Sequence, residues 1–289
     1  MYADYHMHSE FSDDSFTPME QQIERAISIG LDEICFTEHV DYGIKKDWDE
    51  DDIKWRGGDG INTDPGVGAP LTNCNYPEYF LKIDRMRKTY GTKIKIKAGL
   101  EFGIQVHTIP KYERLIELYD DKMDFILLSF HQVDDLESWN GEWMIGKTRD
   151  EYNLKYYEEI LKVVSKYDGY DVLAHVDLMS RYDPEGPYPF EKMKDILTDI
   201  FKIVIAKGKG IEINTSSWHY KLNDTTPSRD ILKLYHDLGG TIITIGSDAH
   251  KIEFVGDHFK DAAKILKEIG FENYYAYDHH KPLAHKIED

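Results

Sequence analysis

Residues 2–30 are YADYHMHSEFSDDSFTPMEQQIERAISIG, and this stretch contains the unit from which the chain is built. A β-rich run at residues 2–7 comes first, and a polar loop separates it from an amphipathic segment. The sequence Thr17-Pro18-Met19-Glu20 predicts a helix start, because it combines a capping box with proline at the first helical position. Gly30 predicts the end of that helix. The stretch therefore predicts a strand, a loop and a helix.

The same unit recurs along the chain. Further β-rich runs, each followed by a helical stretch, lie at residues 33–37, 94–101, 125–130, 172–175, 210–214 and 241–247. Such repetition is typical of a mostly parallel sheet covered by helices. The helix after the fourth run is predicted to start with a capping box at Thr148 and Glu151. We therefore expect an α/β fold of about seven units, in one domain spanning residues 1–289, because α/β barrels of roughly 250 residues commonly form one domain.

A long insertion at about residues 41–75 interrupts this repetition. It contains WDEDD at 48–52 and WRGGDGINTDPGVG at 55–68, which are rich in acids and turn-forming residues. Loops of this length are usually functional or mobile. Two interpretations follow, a solvated surface insertion or a lid or wall over an active site.

Composition limits the possible partners and compartment. The 289 residues include 35 Lys and Arg against 54 Asp and Glu, a net charge of −19 that disfavours binding to nucleic acid. The two cysteines, Cys35 and Cys74, are too few for a disulfide framework, which is typical of a reducing compartment. The N-terminus is acidic rather than basic and apolar, and no long apolar run is present. We expect a cytoplasmic protein with no membrane partner.

Histidine and carboxylate residues stand where successive predicted strands end. Alternation along the first strand points His6 and His8 to one side. At the ends of later strands lie His39, Glu101, His131, His175, Asp248 and His250. In a β/α barrel the carboxyl ends of all strands meet at one mouth, so these side chains are predicted to converge. Nitrogen and oxygen donors gathered in this way predict a metal site.

A single histidine at a strand end is more often a structural residue, but six of the 13 histidines occupy such positions here. Burying so many polar groups together without a metal would be costly. Six further histidines are expected to be ordinary surface residues, namely His107, His236, His258, His279, His280 and His285.

In these motifs the sequence resembles the polymerase-and-histidinol-phosphatase (PHP) family. The motifs are His6-Met7-His8-Ser9, Thr37-Glu38-His39, Gly99-Leu100-Glu101, the isolated His131 and His175, and Gly246-Ser247-Asp248-Ala249-His250. They occur in the family's order and cover nearly the whole chain. The resemblance implies a distorted seven-stranded (β/α)7 barrel with up to three divalent metals at the mouth formed by the strand C-termini.

The resemblance also implies which residues bind each metal. The first metal would be held by His6, His8, Glu101 and Asp248, and the second by Glu101, His131 and His175. The third would take His39, His250 and Asp14, and the neighbouring Asp13 competes with Asp14 for this place. Many relatives have His where this chain has Asp14, so zinc, manganese and iron all stay open as the metal.

Residues on the substrate side follow from a closer likeness within the family. The segment at 175–182, His-Val-Asp-Leu-Met-Ser-Arg-Tyr, resembles that of the free-standing histidinol phosphatases, which implies that Arg181 faces the phosphate. The Ile213-Asn214-Thr215-Ser216 run is similar to theirs, and His219 stands near the place where relatives often have Arg. Ser9 is a further expected phosphate contact. The alternative for Arg181 is a surface ion pair with its neighbours Asp183 and Glu185.

The implied activity is hydrolysis of L-histidinol phosphate to L-histidinol and phosphate in histidine biosynthesis. The expected mechanism is in-line attack by a hydroxide held between two metals, without a covalent phospho-enzyme, and with Glu101, Asp248 and Arg181 as catalytic residues. A cationic substrate of this kind suits acidic pocket walls. The candidates for those walls are Glu38, Glu10 and carboxylates of the 41–75 insertion.

Four other functions compete with this one. A PHP-type phosphodiesterase or exonuclease fits the metal motifs, but the charge of −19 and the lack of a basic stripe disfavour it. A phosphomonoesterase of other specificity would need only a different pocket. A metal-binding scaffold would not need a bridging glutamate. An amidohydrolase usually adds a lysine at a later strand end, and this chain has none there.

Overall fold

A seven-stranded parallel sheet forms the centre of the computed structural model, which describes residues 1–55 and 70–288. Each strand pairs with the next along the chain, so spatial order follows sequence order. The strands are β1 (Ala3–Met7), β2 (Glu33–Val40), β3 (Lys95–Gly103), β4 (Phe125–Ser129), β5 (Val172–Leu173), β6 (Gly210–Asn214) and β7 (Ile243–Gly246).

Helices connect the strands and cover the sheet. They are α1 (Met19–Ile29), α2 (Tyr76–Tyr90), α3 (Ile109–Tyr119), α4 (Arg149–Lys166), α5 (Met179–Tyr182), α6 (Phe190–Ala206), α7 (Ser216–His219), α8 (Arg229–Asp237) and α9 (Phe259–Ile269). A C-terminal antiparallel hairpin follows, β8 (Asn273–Asp278) and β9 (Lys281–Lys286). Two short antiparallel pairs join Lys54–Trp55 to Pro70–Leu71 and Gln132–Val133 to Leu136–Glu137. No helix in the described part of the chain is both long and apolar enough to span a membrane.

The sheet curves into a nearly closed barrel. The first strand meets the segment after the last one, where the His8 N–H donates to the Ala249 carbonyl at 3.0 Å and the Asp248 N–H donates to the His6 carbonyl at 2.8 Å. Nearly every side chain of β1 to β7 is buried, because helices cover the outside and other strands face the inside. The predicted α/β barrel of seven units is confirmed.

The C-terminal hairpin packs at the end of the barrel where the strands begin. The Tyr277 N–H donates to the Tyr5 hydroxyl at 2.7 Å, and that hydroxyl donates to the Tyr277 carbonyl at 3.0 Å. Nδ1 of His280 lies 2.7 Å from the Asp171 carboxylate. His280 therefore anchors the hairpin, whereas the sequence predicted an ordinary surface residue. The opposite mouth, where the strands end, stays free of the hairpin.

Local predictions were partly wrong at the element ends. The capping box at Thr148 and Glu151 is confirmed, with both reciprocal hydrogen bonds formed. The capping box predicted at residues 17–20 does not form, because the Thr17 hydroxyl donates to the His250 carbonyl and Glu10 accepts from the Met19 N–H at 2.6 Å. Strand β2 runs to Val40, three residues beyond the prediction, so His39 lies within the strand.

The insertion begins as a packed segment. Tyr42, Asn73 and Cys74 are buried, and the Asn73 side chain accepts a hydrogen bond from the Asp41 N–H at 2.8 Å. Both ends of the insertion are thus held against the barrel mouth. Asp59 and Asp64, two of the insertion carboxylates that were candidates for the pocket wall, lie within residues 56–69, outside the described residues.

Candidate metal centre

The Glu101 carboxylate lies at the centre of the barrel mouth. It is fully buried near the end of β3, and its two oxygens face different groups of imidazoles. Oε1 lies 3.1 Å from Nε2 of His131 and 2.9 Å from Nε2 of His175. Oε2 lies 3.3 Å from Nε2 of His6 and 3.4 Å from Nε2 of His8. One carboxylate therefore connects two groups of nitrogen ligands.

The group around Oε2 also includes Asp248. Its Oδ1 lies 3.6 Å from Nε2 of His6 and 3.5 Å from Nε2 of His8. Ligands of a tetrahedral zinc with bonds of about 2.0–2.1 Å are separated by roughly 3.3 Å. Four separations within this group thus match the spacing that such an ion requires. Asp248 reaches this position from a left-handed backbone turn, with φ 55°.

A further group contains Asp14, the residue that replaces a histidine of many relatives. Its Oδ2 lies 3.5 Å from Nε2 of His39 and 3.2 Å from Nε2 of His250, and these two nitrogens are 3.4 Å apart. Nδ1 of His39 lies 3.0 Å from Oε2 of Glu101, so this group adjoins the first one. The carboxylate of Asp14 takes part in a compact three-atom site, and its side chain is 41% exposed at the mouth.

Buried polar atoms without partners provide an independent test of the fit to metal. Nε2 of His6, Nε2 of His8 and Oε2 of Glu101 are buried and make no hydrogen bond. Unpaired polar atoms of this kind carry a desolvation penalty of about 1–3 kcal/mol each. The two imidazole nitrogens lie within 4.8 Å of each other and of a carboxylate oxygen of Asp248. Divalent cations such as zinc, manganese or iron fit this set of nitrogen and oxygen donors.

Within the cluster, the charges of the carboxylates and the imidazoles partly compensate one another. Burial alone would raise the pKa of Glu101, but the imidazoles of His6, His131 and His39 outweigh it and hold that pKa well below its usual range. Burial would lower the pKa of His131, but the carboxylates of Glu101 and Asp41 instead raise it to about 9. His131 therefore carries a proton at neutral pH when no metal is bound.

We expect metal affinity to fall as pH is lowered below about 9, the pKa of His131 in the metal-free protein. A metal ligand must be a neutral imidazole, so binding displaces this proton at any pH below that value. The apparent affinity should drop about tenfold per pH unit for each proton displaced. Calorimetry of zinc binding at pH 7.5, in buffers of different ionisation enthalpy, measures the proton release. Binding without proton release would contradict this assignment.

Glu212 supports the ligands from behind, and the sequence analysis missed it. Its Oε1 lies 2.7 Å from Nδ1 of His6, and its Oε2 accepts from the His175 N–H at 3.0 Å. Carboxylates in this position fix the orientation of an imidazole ligand and increase its basicity. The available signal was a charged residue in the buried strand Gly210–Asn214, on the face that alternation assigns to the barrel interior.

Asp41 orients the imidazole of His131 in the same way. Its Oδ1 lies 2.8 Å from Nδ1 of His131, and its Oδ2 accepts from the Lys45 ammonium at 2.9 Å. Lys45 also donates to Asp13 at 2.6 Å. The first residues of the insertion thus hold a predicted metal ligand in place.

Replacing Glu212 by Gln should weaken metal binding about 10- to 100-fold. Both carboxylate oxygens accept hydrogen bonds, from His175 N–H and Asn214 Nδ2 on one side and at His6 on the other. An amide nitrogen placed at Oε2 would face these donors. Competition with a chromogenic chelator measures the affinity, and Glu117→Gln on the exposed face of α3 is the control. An unchanged affinity in Glu212→Gln would exclude the orienting role.

Arg181 lies at the edge of the cluster. Its guanidinium contacts Oδ2 of Asp248 at 3.1 Å and the Ser216 hydroxyl at 2.5 Å, and it lies 4.2 Å from the ring centre of Tyr220. Its side chain is only 7% exposed. The alternative ion pair with Asp183 and Glu185 is not formed, because both of these carboxylates pair with Arg149 instead, at 3.0 and 3.7 Å.

Three expected substrate contacts lie elsewhere. Ser9 is buried, and its N–H and hydroxyl both donate to Glu38, so neither is available for phosphate. Glu38 is itself buried, where burial raises its pKa to about 7, and it forms no pocket wall. Glu10 caps the start of α1 and pairs with Lys82 at 2.9 Å. The hydrogen bonds of Ser9 with Glu38, and the contacts of Glu10 with Met19 and Lys82, engage these groups within the protein.

His219, the fourth residue with an expected substrate role, occupies the end of the short helix α7. Its ring stacks on Phe254 with 4.1 Å between ring centres. Burial lowers the pKa of His219, and the charges of Asp248 and Arg181 also act on it.

Comparison with known proteins agrees with this geometry. The family model described as PHP domain matches residues 4–216. A protein of Lactococcus lactis subsp. lactis named histidinol-phosphatase is 33% identical over 93% of this chain and 91% of its own length. A probable histidinol-phosphatase of Thermotoga maritima is 26% identical over 98% of this chain and 99% of its own length.

A solved structure extends the likeness to three dimensions. The crystal structure of histidinol phosphate phosphatase from Lactococcus lactis, complexed with zinc, L-histidinol and phosphate, has a TM-score of 0.79 and 31% identity, and covers 98% of both chains. The match of the family model to most of the chain, the identity to the Lactococcus protein and the shared barrel lead to one conclusion. The chain belongs to the PHP family.

Proposed function

We propose that this protein is a metal-dependent histidinol-phosphatase, which hydrolyses L-histidinol phosphate to L-histidinol and phosphate. The observation that carries the proposal is the Glu101 carboxylate, whose two oxygens face separate groups of imidazoles, with Arg181 beside them. The Lactococcus relative that binds zinc, L-histidinol and phosphate has the same fold at 31% identity.

The residues at the barrel mouth would bind up to three metal ions. The first metal would be held by His6, His8, Glu101 and Asp248, the second by Glu101, His131 and His175, and the third by Asp14, His39 and His250. Divalent cations bound there supply positive charge to the phosphoryl oxygens and activate water as the nucleophile. Because the cluster supplies the means to activate water, no covalent phospho-enzyme is needed.

The protein's own groups orient the substrate. The Arg181 guanidinium, held by Asp248 and Ser216, is a donor and a fixed positive charge for a phosphate oxygen. Glu101 and Asp248 are themselves shielded from bulk water, which strengthens the charge interactions that they make. Cys35 and Cys74 are both fully buried free thiols and take no part as nucleophiles.

The partner we propose is a small phosphomonoester rather than nucleic acid or a membrane, since the net charge of −19 repels polyanions and anionic surfaces. We place the reaction in the cytoplasm, where two free thiols stay reduced.

The test is phosphate release by metal-reconstituted protein from L-histidinol phosphate, p-nitrophenyl phosphate, a bis-ester and a short DNA oligonucleotide. Chelated protein is the control. We expect kcat/KM for histidinol phosphate to be well above that for the other substrates and to be lost on chelation. Equal or faster cleavage of the bis-ester or the oligonucleotide would instead assign the site to a phosphodiesterase. Preference for p-nitrophenyl phosphate would assign it to a phosphomonoesterase of other specificity.

A further inference from the structure

The Glu38 carboxylate of the Thr37-Glu38-His39 motif has no part in the proposed binding of metal or substrate. It is fully buried on β2, and its hydrogen bonds come from two serines of the loop after β1. The Ser9 N–H donates to both of its oxygens, at 3.1 and 3.0 Å, and the Ser9 hydroxyl donates to Oε1 at 2.5 Å. The Ser12 hydroxyl donates to Oε2 at 2.6 Å. These contacts fix the position of the carboxylate.

The Ser12 hydroxyl also contacts two of the proposed metal ligands. Its Oγ lies 3.2 Å from Nδ1 of His8 and accepts from the His39 N–H at 3.1 Å. Ser12 is 3% exposed, so these protein groups surround its hydroxyl. A serine hydroxyl donates one hydrogen bond and accepts two. The contacts with Glu38, His8 and His39 therefore use its whole capacity.

The proposed binding of a metal to His8 sets the direction of these hydrogen bonds. Nε2 of His8 is buried without a hydrogen bond, and it lies 3.4 Å from Oε2 of Glu101 and 3.5 Å from Oδ1 of Asp248. A neutral imidazole that binds a metal through Nε2 carries its proton on Nδ1. Nδ1 of His8 must then donate to Ser12. Both acceptor positions of that hydroxyl are thereby filled, and Glu38 is the partner to which it donates.

This arrangement differs from the direct contact that a carboxylate makes with another imidazole of the cluster. Nδ1 of His6 lies 2.7 Å from Oε1 of Glu212. Nδ1 of His8 contacts the Ser12 hydroxyl instead, and the Glu38 carboxylate lies behind that hydroxyl. Groups in contact with the second nitrogen of an imidazole ligand fix its tautomer and its ring orientation. For His8 the group in this position is a hydroxyl whose own orientation depends on a carboxylate.

We propose that Ser12 is a positioning residue for the metal ligand His8, and that Glu38 acts on this imidazole through the Ser12 hydroxyl. Because the same hydroxyl accepts from the His39 N–H, it also holds the backbone of a ligand of the third metal. The inference rests on the metal centre of the proposed function but not on its substrate. Zinc affinity is measured without turnover, so the result of the phosphatase assay does not decide this test.

The experiment measures zinc affinity by competition with a chromogenic chelator at pH 8, where the Glu38 carboxyl is ionised because burial raises its pKa only to about 7. Ser12→Ala should bind zinc at least about tenfold more weakly than the original protein, and Ser12→Thr, which keeps the hydroxyl, should recover most of this loss. Ser165→Ala, which removes an exposed hydroxyl from α4, is the matched control and should bind as the original protein does. An unchanged affinity in Ser12→Ala, or a lower unfolding temperature of its metal-free form without weaker binding, would refute the proposal.

A double-mutant cycle tests the step from Glu38 to His8. Glu38→Met removes the acceptor oxygens and keeps a side chain of similar length, so it should weaken zinc binding when Ser12 is present. In the Ser12→Ala background it should have little further effect, because no hydroxyl is left to orient. If Glu38→Met fails to fold, Glu38→Asp, which keeps the charge but withdraws the carboxylate from Ser12, takes its place in the cycle. Equal losses of affinity in both backgrounds would show that Glu38 does not act through Ser12.

Discussion

Replacing Glu101 by Gln should lower kcat for histidinol phosphate by roughly three orders of magnitude, the upper range for loss of a single charge-stabilising group. The amide keeps the shape of the side chain but carries no charge. Its nitrogen must face either His131 and His175 or His6 and His8, which surround the two carboxylate oxygens. We therefore expect weaker binding of at least one metal. Phosphate release and metal content per chain measure the two effects.

The control for Glu101→Gln is Glu158→Gln, the same change at an exposed position on α4. It should leave turnover and metal content as in the original protein. Near-original turnover of Glu101→Gln with full metal content would contradict a centre in which one carboxylate is shared between two ions. If Glu101→Gln lost metal but the molecules that still contained metal turned over at the original rate, Glu101 would serve only to bind metal.

Replacing Arg181 by Ala should raise KM and lower kcat/KM for phosphate esters about 100- to 1,000-fold. The guanidinium is nearly buried beside Asp248, so its charge is poorly screened by water and strongly felt by a phosphate. Its loss also leaves the Asp248 carboxylate without its 3.1 Å partner. Steady-state kinetics over a range of histidinol phosphate concentrations separates the change in KM from the change in kcat.

Two comparisons make the Arg181 result specific. Arg181→Lys should recover only part of the loss, because an ammonium cannot match the planar guanidinium that contacts both Asp248 and Ser216. Arg114→Ala, at an exposed ion pair on α3, should change neither constant. A variant Arg181→Ala that loses thermal stability but keeps its KM would show that the side chain has a structural role only.

The identity of the fold could be predicted from local patterns. Seven β-rich runs separated by helical stretches predict a parallel sheet covered by its crossover helices. Closure of that sheet into a barrel was implied by the family resemblance of the strand-end motifs. Histidines and carboxylates at strand ends then had to meet at one mouth. The C-terminal end of strand β2 could not be predicted in the same way. The residues after Thr37 continue in the sheet because they pair with Leu100, Glu101 and Phe102, not because of their own strand propensity.

Other features depended on contacts between residues far apart in the chain. Ser9 and Glu38 are 29 positions apart and bind each other, which removes both from the substrate side. Glu212 reaches Nδ1 of His6 across 206 positions, and no local pattern marks that pair. Thr17 is taken from its predicted capping role by a carbonyl 233 positions away.

The sequence by itself determined the α/β fold of about seven units and the residue types at its strand ends, because strand periodicity and residue chemistry are local properties. The tertiary structure alone decided which oxygen of Glu101 faces which imidazoles and that Arg181 pairs with Asp248 instead of Asp183. The physical reason is that hydrogen bonding and desolvation depend on distances of a few ångströms between side chains, and only the closed barrel sets these distances.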